Sequence, residues 1–154
     1  MAYRDLREYI EALNERGLLH IIDEPVCKDT ELVPMVRLQF RGLPEESRKA
    51  FWFRKVTDAR GRTFDGSVVL GALGSSRAVY GAALGVTADE IASAWARAHK
   101  NHLPPNRVGR ADAPVKEIVL RAPNLEGGVD RFPHLISTPG FDPAPCTSRS
   151  LDHG

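Results

Sequence analysis

The residues with the most chemical potential sit in one short run. Gly71-Ala72-Leu73-Gly74-Ser75-Ser76-Arg77 follows an apolar stretch and leads into a helical pattern, so its backbone N–H groups could cradle an anion. The run lacks the third glycine of a dinucleotide fingerprint and the Gly-Lys of a nucleotide-phosphate loop. A tight strand-to-helix turn with a serine cap accounts for it, leaving Arg77 to hold a phosphate or a domain interface. A module that binds an anion or nucleotide through Gly74–Arg77 stays open as an alternative. His99 and His102, three apart near a helix end, could bring two imidazoles to a metal, but a third ligand would have to come from elsewhere. The helix dipole favours histidine there in any case. His134, Cys146 and His153 fall in an irregular tail, where nothing local fixes the geometry a Cys–His nucleophilic pair needs. The acidic pairs Asp23-Glu24, Glu45-Glu46 and Asp89-Glu90 are scattered, and capping explains the last. Spacing singles out no catalytic pair of carboxylates.

The bulk properties exclude several classes. At 154 residues, with 42% hydrophobic and 27% charged residues, the chain has the composition of an ordinary globular protein. A chain of this size buries about 68–70% of its unfolded surface, enough for a core without disulfide staples. Basic and acidic residues nearly cancel, 21 against 20, so there is no general footprint for nucleic acid. No stretch approaches the roughly 20 apolar residues of a membrane span. Met1-Ala2-Tyr3-Arg4-Asp5 has no apolar core of a secretory signal, and Cys27 and Cys146 form no CxxC spacing. A reduced, cytoplasmic protein is expected.

These residues need elements to hold them. Tyr3, Leu6, Ile10 and Leu13, with Tyr9 beside them, predict a helix that Gly17 stops. Leu18–Ile22 predicts a strand closed by Asp23-Glu24-Pro25. Thr30 is the expected cap of a second helix, with Pro34 near its first turn and Leu32, Met35, Val36 and Gln39-Phe40 as its buried stripe. Gly42-Leu43-Pro44 ends it. Phe51–Val56 and Ser67–Gly71 read as strands, with turns at Arg60-Gly61-Arg62 and Asp65-Gly66. Val79, Tyr80, Ala83 and Leu84 mark a third helix stopped by Gly85. Thr87 and Glu90 form a capping box ahead of a fourth helix, expected to bury Ile91, Ala94, Trp95 and Ala98. Leu103–Pro114 reads as a linker and Val115–Leu120 as a strand, and Ser137–Gly154 shows almost no periodicity. The expected fold class is a mixed α/β (α+β) arrangement, a small mixed sheet flanked by helices with an irregular C-terminal tail. Residues 1–108 form the expected N-terminal α/β domain, and 109–154 a linker, one strand and a tail leading toward a cofactor-binding domain.

Taken together, the segments resemble the UbiD family of decarboxylases. Tyr3-Arg4-Asp5-Leu6-Arg7-Glu8-Tyr9-Ile10 and then Gly17–Ile21 resemble the family's opening. Glu31-Leu32 resembles its second helix start, and Phe51–Val56 its aromatic strand. Val68–Arg77 followed by Ala83-Leu84-Gly85 is similar to its strand, Gly-Ser-Arg turn and helix. Lys116–Leu120, with Val129-Asp130 and Phe132-Pro133, is similar to the segment that precedes its cofactor domain. The resemblance runs over essentially the whole chain. It implies a reversible, non-oxidative decarboxylase of aromatic or α,β-unsaturated carboxylic acids that uses prenylated FMN, with manganese (Mn2+) and potassium (K+) at the phosphate. Losing CO2 from an sp2 carbon leaves a carbanion, and the modified flavin supplies the electron sink. In the complete enzyme the resemblance also implies an Arg and two Glu residues at the substrate, a flavin prenyltransferase as cofactor supplier, and a homo-oligomer.

Asp152-His153-Gly154 resembles the triplet that leads into the family's cofactor, metal and Glu-Arg-Glu residues. On that alignment no catalytic, cofactor-binding or metal residue of the family falls on this chain. The expectation is therefore an N-terminal fragment, a small subunit completed by a separate catalytic chain, or a remnant, with no cofactor bound by this chain alone.

Overall fold

The computed structural model describes residues 3–116, 119, 133 and 135. Helix α1, Leu6–Glu15, starts where the Asp5 carboxylate accepts the N–H of Glu8 at 3.0 Å. It ends ahead of Gly17, whose left-handed φ of 67° releases the chain into β1, Leu19–Cys27. Helix α2, Leu32–Gly42, carries the chain across to β2, Ala50–Thr57, which lies parallel to β1. A parallel pair needs such a crossover, since a tight hairpin reverses direction. Strands β3, Thr63–Phe64, and β4, Val68–Leu70, both pair antiparallel with β2, making it the centre of a four-stranded mixed sheet. Helices α3, Arg77–Leu84, and α4, Ile91–Lys100, complete the domain. This is the expected mixed α+β fold.

The pleat of the sheet distributes side chains to two cores. Ala50 and Trp52 of β2, Leu19 and Ile21 of β1 and Val69 of β4 pack with Tyr9, Ile10 and Leu13 of α1 and Val79 and Ala82 of α3. Phe51 and Phe53, with Ile22, Val68 and Leu70, join Leu32 and Val36 of α2. Helices therefore cover both faces. Each fully buried side chain such as Phe53 or Leu13 contributes about 1.5–3 kcal/mol.

The β2–β3 hairpin is closed by charge as well as by backbone. The Asp58 carboxylate accepts the N–H groups of Arg60 and Arg62 at 3.0 and 2.8 Å and Arg62 Nε at 3.1 Å. Burial pushes the Asp58 carboxyl up, and the N–H groups of Arg62 and Arg60 with the Arg62 guanidinium reverse this, leaving it below its ordinary value. Lys28 is buried, but its charge is paired with Asp29 and faces the Phe64 ring.

Five expectations are corrected. Strand β1 does not close at Asp23 but continues through Glu24 and Pro25 to Cys27. The register shifts between Ile22 and Pro25, and an edge strand tolerates a proline that offers no donor. Helix α2 is led by Glu31, not capped by Thr30; the Glu31 carboxylate turns back to accept the Cys27 N–H at 2.8 Å. Pro34 does sit in the first turn, but the buried stripe is Leu32, Val36 and Gln39, and Met35 and Phe40 point outward. Among the described residues helix α4 buries none of its side chains, because it rests mainly on α3 and on the 3-10 turn Ala88–Glu90; Trp95 is 46% exposed. Val115 is 80% exposed within a 3-10 turn, Pro114–Lys116, so no strand begins there. Glu117, Ile118, Leu120 and the tail from Ser137 lie outside the described residues.

Candidate functional site

The turn between β4 and α3 is built for rigidity. Gly71 has φ of 72°, and a Cβ on it would lie 2.1 Å from Ser75 Oγ, so only glycine fits. The Ser75 N–H donates to the Gly71 carbonyl at 3.1 Å. The Ser75 hydroxyl, 1% exposed, accepts Gln39 Nε2 at 3.3 Å, while Gln39 Oε1 accepts the Lys49 N–H at 3.0 Å. One buried amide thus ties α2, the start of β2 and this turn together. From α1, Tyr9 Oη lies 2.6 Å from the Ala72 carbonyl and 2.9 Å from that of Val79, donating across the turn. Burial raises the Tyr9 phenol to about 12, with Tyr3 nearby adding to the shift.

Two of the donors at the start of α3 are taken by side chains. A serine cap is expected here, and Ser76 supplies it by accepting the Val79 N–H at 3.3 Å. The Arg77 N–H donates to Glu45 Oε1 at 2.8 Å, which puts a carboxylate where an external anion would sit. The Arg77 guanidinium donates to the Ala88 carbonyl at 3.1 Å and stands 3.8 Å from Asp89. It ties the start of α3 to the turn that follows the helix. Beside the turn opens a cleft of about 260 Å³, where Phe40, Leu73 and Tyr80 give apolar walls and Arg48, Arg77 and Glu45 give charge.

The other candidates do not converge. His99 packs its ring 5.9 Å from that of Trp95, and His102 lies beyond the helix in an exposed stretch. Among the described residues no three His, Cys, Asp or Glu side chains are grouped to hold a metal. Asp23 pairs with Arg54 at 3.2 Å, Glu45 serves Arg77, and Glu90 accepts the Thr87 N–H and hydroxyl in the expected capping box. The Thr87 donors hold the Glu90 carboxyl below its usual value. His134, Cys146 and His153 lie outside the described residues. Sequence reasoning missed the Glu45, Gln39 and Tyr9 contacts. Only Tyr9 carried a signal, since a tyrosine on a core stripe needs a partner for its hydroxyl.

Residues 10–98, from within α1 to near the end of α4, match the family model of the 3-octaprenyl-4-hydroxybenzoate carboxy-lyase N-terminal domain, the UbiD N-terminal domain. The chain belongs to this family. Solved UbiD-class enzymes have a similar fold. In the open form with truncated ShVdcD, the vanillic acid decarboxylase of Sedimentibacter hydroxybenzoicus superposes with a TM-score of 0.63 at 26% identity, over 80% of this chain and 26% of that one. Its closed form gives 0.60 at 27% identity, over 78% and 25%. An evolved dimeric form of HmfF from Pelotomaculum thermopropionicum, solved in complex with prFMN, shares the fold with a TM-score of 0.57 at 24% identity, over 79% and 26%. No curated protein matches the chain. The chain therefore spans about a quarter of the length of the UbiD-class chains it matches. The resemblance read from the sequence holds across 10–98; Lys116–Leu120 and the segments after it lie beyond the matched span.

Proposed function

We propose that this chain is the N-terminal part of a UbiD-like non-oxidative decarboxylase acting on aromatic or α,β-unsaturated carboxylic acids with prenylated FMN, and that the reacting groups come from outside it. The family match over residues 10–98 carries this reading. Where the modified flavin binds, it supplies the electron sink for loss of CO2 from an sp2 carbon. The described residues do not fit that group or its metal. Glu45 takes the first N–H of the helix start that could meet a phosphate, and among the described residues no donor set for a divalent ion is assembled. The part played by this domain is that of a rigid support, with 1–108 as the folded unit and 109–154 leading toward the cofactor-binding portion. In the complete cytoplasmic enzyme a flavin prenyltransferase supplies the cofactor, with Mn2+ and K+ at its phosphate.

A second reading, a non-catalytic accessory subunit docked on a separate decarboxylase core, is favoured by one observation. The similar vanillic acid decarboxylase has ShVdcD as a distinct component. Assaying the purified chain for flavin binding and CO2 release tests both readings, since both require an inactive isolated chain. Sequencing the coding DNA past codon 154 separates them: an open frame into a cofactor domain supports the first, and a stop codon with a co-purifying catalytic chain supports the second.

A further inference from the structure

We draw no further inference here: the strongest candidate, the face that α4 turns outward around Trp95 beside its basic last turn, carries none because nothing in the structure shows what covers it.

Discussion

The carboxylate of Glu45 lies 2.8 Å from the backbone nitrogen of Arg77, across 32 positions of sequence, and takes the first N–H of α3. An anion-binding turn needs that donor free. Wild-type chain should therefore show the same melting temperature from zero to millimolar phosphate, FMN or ATP, whereas a ligand at 100 times its Kd adds about 2.7 kcal/mol. Glu45→Ala should lose about 0.5–1 kcal/mol of stability and gain a phosphate-dependent rise in melting temperature. A phosphate response in the wild type would show that Glu45 does not block the turn.

Gly71 and Gly61 have similar left-handed φ values, 72° and 78°, but different surroundings. At Gly61 nothing lies within 4 Å of an added Cβ, while at Gly71 the Ser75 hydroxyl does. Gly61→Ala should cost about 1–2 kcal/mol, the backbone strain alone. Gly71→Ala should cost about 3 kcal/mol or more, because the Ser75–Gln39 bond breaks as well. Urea unfolding of the two variants measures the difference, and equal losses would contradict it.

Tyr9 spans the same turn from α1. Tyr9→Phe leaves the Ala72 and Val79 carbonyls without that donor and should cost about 1–2 kcal/mol at neutral pH. The folded phenol titrates at about 12 against an ordinary 10.0, so its contribution is complete below pH 10.0 and is lost as pH rises toward 12. Stability of the wild type should fall faster than that of Tyr9→Phe over this interval, as followed by chemical denaturation. Parallel curves would refute the assignment.

The features legible in the sequence are those set by neighbours along the chain. Gly17 and Gly85 as stops, a serine cap on α3 and the Thr87–Glu90 box depend on a few adjacent positions, and all are found. The grip of Glu45 on Arg77 and of Gln39 on Ser75 was not legible, since each joins elements distant in the chain. Nor does periodicity reveal whether a helix has a partner. Helix α4 has an apolar side, yet among the described residues its main contacts are with α3 and one turn. Pro25 read as a strand end because the sequence does not show that β1 lies on the edge of the sheet.

Helix α4 and the sheet give a clear contrast. Trp95 is 46% exposed and holds one bond to Tyr80 Oη at 2.9 Å, whereas Phe53 is fully buried between strands and α2. Trp95→Ala should change stability by about 1 kcal/mol or less, and Phe53→Ala by about 3–5 kcal/mol. A loss of similar size in both, measured by thermal unfolding of the 154-residue chain, would mean that α4 is packed far more tightly than described.

The proposal that the reacting groups lie outside this UbiD-family domain can be tested on the chain itself. The most direct measurement is to co-express the 154-residue chain with a flavin prenyltransferase, purify it, and measure bound flavin and CO2 release from aromatic and cinnamic-type acids. The expected result is no stoichiometric flavin and no decarboxylation. One flavin per chain, or turnover by the chain alone, would contradict it.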